Sequence, residues 1–410
     1  MRAFFSTLLL LATWPGLSAL AAPPGGAKSG AGQAKEIPQP AGAGESLQQC
    51  KPGPWGKIEY SYFYLEAPGN LLATVPVPNS TPRWFFPRAT LDSLRGFFDG
   101  AGVPAEVRDR LLDPKHALVE TSSCTVFPTQ ADLDAMTPAL RGVLYAELAK
   151  SASNEFYQNP ILFTDGGVEE WLRDAKLRPE LQAVVRKMSY PFGSVQAFSD
   201  IAALLQRAQS DAEARRIMKL TTRSRCLIAH LRIDPGDDIK ALGDYWSAHN
   251  ENSDVLPLLA SAGERKCCST ELDLTHLLPT LARRWIYTYP GLYYARQGRL
   301  PDCHWTTLNF FNITPQQYYR DSRLASQRML EAYTPIAPPY RFGDALLLLD
   351  PHGDAVHSCV FIADDIVFSK DGENILQPWV LKKIDEVKQA YLRDDKWRVQ
   401  GYRPKTTVAQ

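Results

Sequence analysis

The sequence lacks an excess of charge of either sign and any long apolar run in its interior. Its 410 residues include 45 basic and 45 acidic side chains, so the formal net charge is zero. A nucleic-acid-binding protein needs a basic excess on one face, so we expect no nucleic-acid partner. No segment after residue 22 is long and apolar enough to span a bilayer, which predicts that there is no transmembrane segment.

Motifs for several common chemistries are also missing. The chain contains no GxSxG, no glycine-rich phosphate loop and no HExxH, which argues against serine esterases, nucleotide enzymes and zincins. Its seven cysteines include no CxxC pair, so a zinc site is not expected. Glu271, Asp273 and His276 lie in one predicted helical stretch, where only Asp273 and His276 have the spacing to bind one metal ion together. A helix-capping role is favoured over a metal site here. We therefore predict no metal and no cofactor.

The first 22 residues have the organisation of a signal peptide. Arg2 supplies a positive charge, residues 4–13 form a short apolar stretch, and residues 19–21 (ALA) give a small-x-small cleavage signal. This predicts an exported protein, periplasmic or extracellular. Residues 23–48, rich in Pro, Gly, Ala and Ser, predict a disordered linker because they have little apolar surface to bury. In an exported protein, an odd number of cysteines leaves at least one thiol free.

The next region, 49–289, is predicted to be a mostly helical domain. It begins with one strand candidate, Ile58–Leu65, and helical spacing of apolar residues follows from residue 90 to 285. Thr137-Pro138 is typical of a helix start, because a capping residue precedes proline at the first helical position. The residues Leu227–Leu231 are also interpreted as part of a helical stripe.

The last region, 290–410, has the pattern of a helix packed on an antiparallel sheet, so the fold class of the whole chain is predicted to be α+β. Asp302 is a suitable N-cap for a helix that carries Cys303. Other helices are predicted at about 315–332 and from Pro378-Trp379 to about Leu392. The predicted strands are Ala345–Leu349, Ala355–Ile362, Asp365–Ser369 and Trp397–Tyr402.

Cys303 and His357 are the candidate catalytic pair. A thiol at a helix N-terminus ionises more easily, and an imidazole on a neighbouring strand can accept its proton. On a strand, His357 shares one face with Cys359 and Phe361, and the imidazole reaches Cys303 if that face meets the helix start. Ser369, twelve residues after His357, is the candidate third residue that orients the imidazole.

In order and spacing, Asp302-Cys303, Gly343-Asp344 and His357 resemble the NlpC-type, papain-like cell-wall peptidases. In that family an Asp-Cys pair opens a helix, a Gly-Asp pair begins the first strand, and a His begins the next. The resemblance covers about residues 290–405. It implies a papain-like domain, a cysteine peptidase or amidase activity, and peptidoglycan stem peptides as substrate.

The chain departs from the family pattern at two places. His304-Trp305 follow the cysteine where the family has Ser-Gly, and Ser369 stands where the family carries His, Asn or Gln. These departures motivate an alternative function, in which a catalytically inactive papain-like fold acts as a binding or scaffold protein of the cell envelope. His304 is interpreted as a wall of the substrate cleft or a surface residue, because neighbouring side chains on a helix diverge. Cys359 is either core filler or a partner for a reversible disulfide with Cys303.

Overall fold

The computed structural model describes residues 47–75, 78, 80–164, 166–392 and 395–405. The predicted signal peptide and nearly all of the predicted linker lie outside these residues. The described chain is a mixed α+β structure whose sheets are antiparallel. None of its helices combines the length and the apolar character that crossing a membrane requires.

The strands of the described residues are numbered in chain order. They are β1 (Gln48–Gln49), β2 (Lys57–Leu65), β3 (Trp84–Pro87), β4 (Ala117–Glu120), β5 (Ser123–Val126), β6 (Ile161–Phe163), β7 (Tyr190–Phe192), β8 (Val195–Phe198), β9 (Ser224–Ile233), β10 (Thr270–Asp273), β11 (Tyr333–Ile336), β12 (Ala345–Leu349), β13 (Ala355–Ala363), β14 (Ile366–Lys370), β15 (Trp379–Lys383) and β16 (Arg398–Pro404).

The α-helices are numbered in the same way. They are α1 (Gly69–Leu72), α2 (Leu91–Ala101), α3 (Ala105–Leu111), α4 (Gln130–Ala135), α5 (Pro138–Leu148), α6 (Glu155–Gln158), α7 (Gly167–Arg173), α8 (Pro179–Met188), α9 (Ile201–Gln206), α10 (Asp211–Leu220), α11 (Ile239–Trp246), α12 (Leu256–Gly263), α13 (Thr280–Trp285), α14 (Leu292–Arg296), α15 (Cys303–Leu308), α16 (Ser322–Ala332) and α17 (Ile384–Tyr391). Short 3-10 helices occupy 253–255, 274–277 and 317–320.

Four sheets organise these strands. The largest has six strands in the order β11-β16-β12-β13-β14-β15, and a second has four in the order β1-β2-β9-β10. Two three-stranded sheets, β3-β5-β4 and β6-β8-β7, lie within the helical region. The region 49–289 therefore contains substantial sheet as well as helices.

Two hydrophobic cores account for most of the buried apolar residues. The first core comprises buried residues between Trp84 and Leu220. The second core contains residues of β2, β9, α11, α12, α13, α15 and α16. It also includes one face of the six-stranded sheet and extends to Leu381. Residues on both sides of position 290 thus share one core, and the domain boundary placed there stays a prediction.

The helical interpretation of Leu227–Leu231 was wrong, because these residues lie in the middle of β9. Leu227 and Leu231 are both buried, and a spacing of four suits one face of a strand as well as one face of a helix. Pairing decides the conformation, since β9 lies between β2 and β10 and pairs with β2 from Ser224 to Arg232. Asp273 ends β10 and caps the following 3-10 helix through the Thr275 amide, so its helical pairing with His276 was also wrong, whereas the capping role is confirmed.

Pro378-Trp379 does not begin a helix, which is a second correction. Residues Trp379–Lys383 form β15, which pairs with β14 along its whole length, and α17 begins only at Ile384. The main chain of Trp379 also bonds to Tyr287 and Thr288, about ninety residues earlier. The three strands predicted before this point correspond closely to β12, β13 and β14, and Thr137 caps α5 as predicted.

Arg225 of β9 connects the two cores. Its guanidinium pairs with Glu170 of α7 at 2.7 Å and with Glu386 of α17, and it lies 3.3 Å over the ring of Tyr62. All three charged side chains are largely buried. This ion pair network holds α17 between the helical region and the six-stranded sheet.

Candidate active site

Cys303 is the first residue of α15. Asp302 caps this helix by accepting a hydrogen bond from the Trp305 amide at 2.7 Å. The helix start is fixed further by Thr306, whose hydroxyl accepts from the Trp379 indole at 2.9 Å. The rings of Trp305 and Trp285 stack at 4.7 Å. The local position of the cysteine is therefore set by a capping carboxyl and an aromatic stack, as the Asp-Cys pair predicted in part.

The Cys303 thiol is buried but strongly polarised. It keeps 5% of its surface exposed. Burial alone opposes ionisation, but the imidazoles of His304 and His357, through their charge and hydrogen bonds, outweigh it and hold the pKa of Cys303 well below its ordinary value. A thiolate is the nucleophilic form of cysteine, so this environment favours reactivity.

His357 lies in β13 with none of its surface exposed. Its Nε2 is 3.0 Å from the Ser369 hydroxyl of β14, and the Tyr391 ring stacks on the imidazole with centroids 4.1 Å apart. Its Nδ1 is buried and has no hydrogen-bond partner from nitrogen or oxygen among the described residues. Because one ring nitrogen is occupied by Ser369, Nδ1 is the atom left to exchange a proton with the thiol.

The face of β13 that carries His357 packs mainly on a different element from the one expected. Cys359 and Phe361 share this face and contact Val387 of α17, whereas α15 contacts the opposite face through Ser358. The Cys303 thiol nevertheless interacts with His357. It also lies close to Cys359, whose pKa is raised first by burial and then by the negative charge of the Cys303 thiolate. The structure therefore brings Cys303, His357 and Ser369 together.

His304 belongs to the same cluster, although the sequence interpretation placed it in a cleft wall or on the surface. Its Nδ1 is 3.0 Å from the Ser358 hydroxyl, which in turn donates to the Thr307 hydroxyl at 3.0 Å. Burial opposes its charge, but the neighbouring Cys303 thiolate raises the pKa of His304 to about 9. The ring is held by Ser358, 54 residues along the chain, so no local pattern predicted its place in the cluster.

Two further charged groups border the thiol. Burial, followed by the charge of Cys303, raises the pKa of the Asp302 carboxyl to about 6. Burial lowers the pKa of Lys370 to about 8, and its ammonium donates to the carbonyls of Gly372 and Asn374 at 2.8 and 3.0 Å. The pKa values of Asp302 and Lys370 are thus both moved toward neutrality, a property typical of catalytic sites and also found in structural networks.

Gly343 and Asp344 have structural roles. Gly343 has a φ of 89°, and a Cβ atom there would lie 2.3 Å from the Phe311 ring, so glycine is required at this position. Asp344 accepts from the Arg341 amide at 2.7 Å, as predicted for a strand start, and forms two hydrogen bonds with Arg403 at 2.8 and 2.6 Å. This pair anchors β12 without contacting the thiol.

All seven cysteines are free thiols in the structure. Among the described residues, Cys50, Asp364 and Asp365 form the one group whose ligand atoms are close enough for a metal ion, within 4.8 Å of one another. Lys383 already pairs with Asp365, and burial raises the pKa of Cys50 to about 12, which keeps that thiol protonated. These contacts explain the group as an ion pair beside a neutral thiol.

Comparison of the chain with protein-family models, with curated proteins and with solved structures gives no match. Inference about activity therefore depends on the geometry of the cluster around Cys303 and on the sequence.

Proposed function

We propose that this protein is an exported cysteine hydrolase that cleaves peptide or isopeptide amide bonds, with peptidoglycan stem peptides as its substrate. The observation that carries the proposal is the cluster of Cys303, His357 and Ser369, in which a polarised thiol contacts an oriented imidazole. The substrate class and the papain-like fold come from the sequence resemblance, and the location comes from the signal-peptide pattern.

In this proposal, Cys303 is the nucleophile and His357 is the general base. The imidazole takes the thiol proton, the resulting thiolate attacks the amide carbonyl carbon, and the imidazole then delivers the proton to the leaving amine. Ser369 keeps the ring in the orientation that leaves Nδ1 free. Amides of the first turn of α15 have no acceptor within the helix, so the amide of Cys303 is suited to hold the developing oxyanion.

The test is hydrolysis of purified muropeptides by the mature protein, with released amines measured by mass spectrometry. We expect Cys303→Ala to abolish turnover. Cys267→Ala is the matched control, because Cys267 is an exposed thiol elsewhere in the chain and its removal is expected to leave the rate unchanged. Turnover that survives Cys303→Ala contradicts the assignment, and folded native protein that shows no turnover favours the scaffold alternative.

A further inference from the structure

The two imidazoles beside Cys303 differ in what their nitrogens contact. His304 Nδ1 faces the Ser358 oxygen at 3.0 Å, and the Ser358 proton is directed to Thr307, so the serine accepts from His304. The ring also bonds to the Ala355 carbonyl and to the Cys303 sulfur. A carbonyl and a thiolate accept protons in hydrogen bonds and do not donate them. Every one of these partners therefore favours a doubly protonated ring at His304.

His357 has the opposite character. Its Nε2 contacts a hydroxyl, which can donate or accept, and its Nδ1 has no nitrogen or oxygen partner among the described residues. A ring with one nitrogen left open can gain and lose a proton without breaking a hydrogen bond to nitrogen or oxygen. His304, in contrast, would lose a hydrogen bond to one of its three acceptors if it gave up a proton.

We propose that His304 is a second imidazole of the active site, which remains protonated and stabilises the Cys303 thiolate while His357 alone transfers protons. This inference deepens the proposed function and depends on it. Ser358 and Thr307 are positioning residues, because they fix the His304 ring and lie 1% and 3% exposed. The small cavity beside His304 and Ser358 is bordered by apolar side chains, among them Leu308 and Met329, so few other polar groups compete for the ring.

The proton balance of the reaction follows from this division. The thiol proton moves to His357 when the thiolate forms. The thiolate then bonds to the carbonyl carbon as the carbon–oxygen double bond opens to an oxyanion, and His357 gives the proton to the amine nitrogen as the oxyanion collapses and the carbon–nitrogen bond breaks. Water then attacks the thioester and gives its proton to His357 as the carbon–sulfur bond breaks. The thiolate is restored and recovers the proton from His357, while His304 keeps both of its protons in every step.

The test is the pH profile of Cys303 alkylation by iodoacetamide in the mature full-length protein. The peptide that contains Cys303 is quantified by mass spectrometry, because Cys267 and Cys268 are exposed and also react. The other charged or titratable groups that face the cluster of Cys303, His304 and His357 are Asp302, Cys359, Lys370 and Asp371, and all are kept in the main comparison. We expect alkylation of the native protein to be half-maximal well below pH 8.

His304→Gln removes the charge and keeps a polar side chain. We expect it to move the half-maximal pH upward by at least one unit and to slow alkylation at pH 6 about tenfold. Native and variant rates should converge above pH 9, where His304 itself loses its proton. His276→Gln, at an exposed histidine, is the matched control and should leave the profile unchanged. If His304→Gln does not fold, Ser358→Ala tests the same contact and should give a smaller shift in the same direction.

The outcomes separate this inference from the proposed function. A profile that shifts in His357→Gln but not in His304→Gln overturns the role of His304 and leaves a cysteine–histidine hydrolase intact. A native profile centred near pH 8.5 overturns both. A His304-dependent shift without muropeptide turnover supports the pairing and contradicts the hydrolase.

Discussion

One buried network of charged and polar side chains lies in the first core, and another lies beside the second core. They differ in the kind of nitrogen atom that is left without a hydrogen-bond partner. In the first core, Arg141 donates to Asp200 at 2.8 Å and to Tyr145 at 2.9 Å, and Tyr145 also donates to Asp200. Both members of the ion pair are almost fully buried. Beside the second core, Cys303, His304 and His357 form a cluster in which His357 Nδ1 has no nitrogen or oxygen partner among the described residues.

An open nitrogen has different consequences in the two networks. Within the described part of the chain, Arg141 Nε also lacks a hydrogen-bond partner. A guanidinium keeps its protons at every physiological pH, so this unpaired N–H costs free energy and takes no part in proton transfer. An imidazole nitrogen without a partner carries a lone pair that accepts a proton. The two networks therefore differ in one respect: in the first, the unpaired nitrogen belongs to a group that keeps its charge, and in the second it belongs to an imidazole that can exchange a proton.

The largest expected effect breaks the first network alone. Asp200→Asn leaves Arg141 buried without a counter-charge, which we expect to lower the free energy of unfolding by about 3–5 kcal/mol. Urea unfolding of variant and native protein measures this loss. The alkylation profile of Cys303 should be unchanged in the folded variant, and a loss below about 1 kcal/mol would show that the pair is not structural.

A smaller effect is expected from a substitution beside the His357 imidazole of the second network. Ser369→Ala removes the group that orients His357, and the lost hydrogen bond of about 1 kcal/mol should lower muropeptide turnover roughly five- to tenfold. Ser326→Ala is a matched control, since Ser326 is also buried but bonds within α16 to the Ser322 carbonyl. Equal rates for the two variants would contradict the orienting role of Ser369.

A further expected effect is a pH trend in stability from Asp302. An aspartate in the unfolded chain ionises near pH 3.9, whereas burial raises the pKa of folded Asp302 to about 6. Between these values the folded state binds more protons, so this carboxyl contributes most stability below pH 4 and the contribution is lost as pH rises through about 6.

Asp302→Asn tests this trend, because asparagine also caps helices and does not titrate. We expect the native protein to lose more stability than the variant between pH 4 and pH 7, measured by urea unfolding. Parallel changes in the two proteins would exclude a raised pKa for this carboxyl.

Local patterns predicted much of the C-terminal region. The strands β12 to β14 are short apolar runs separated by turn residues, and Asp302 is an ordinary helix cap, so nearby residues determine them. The strand β15 was missed because its partners, β14 and residue Thr288, are chosen by tertiary packing, while Pro378 resembled a helix start. His304 was missed because its partner Ser358 lies 54 residues away, and no local pattern encodes that contact.

The helix α17 has a consequence for how the molecule is put together. Arg225 holds its first turn through Glu386, and Tyr391 at its last turn lies flat on the His357 ring. Five residues of helix span about 7.5 Å, so this part of α17 extends from the junction of the two cores to the His357 imidazole. The ion pairs of Arg225 therefore connect Glu170 of α7 to the helix that packs on His357, so residues outside the C-terminal sheet contribute to the packing around this ring.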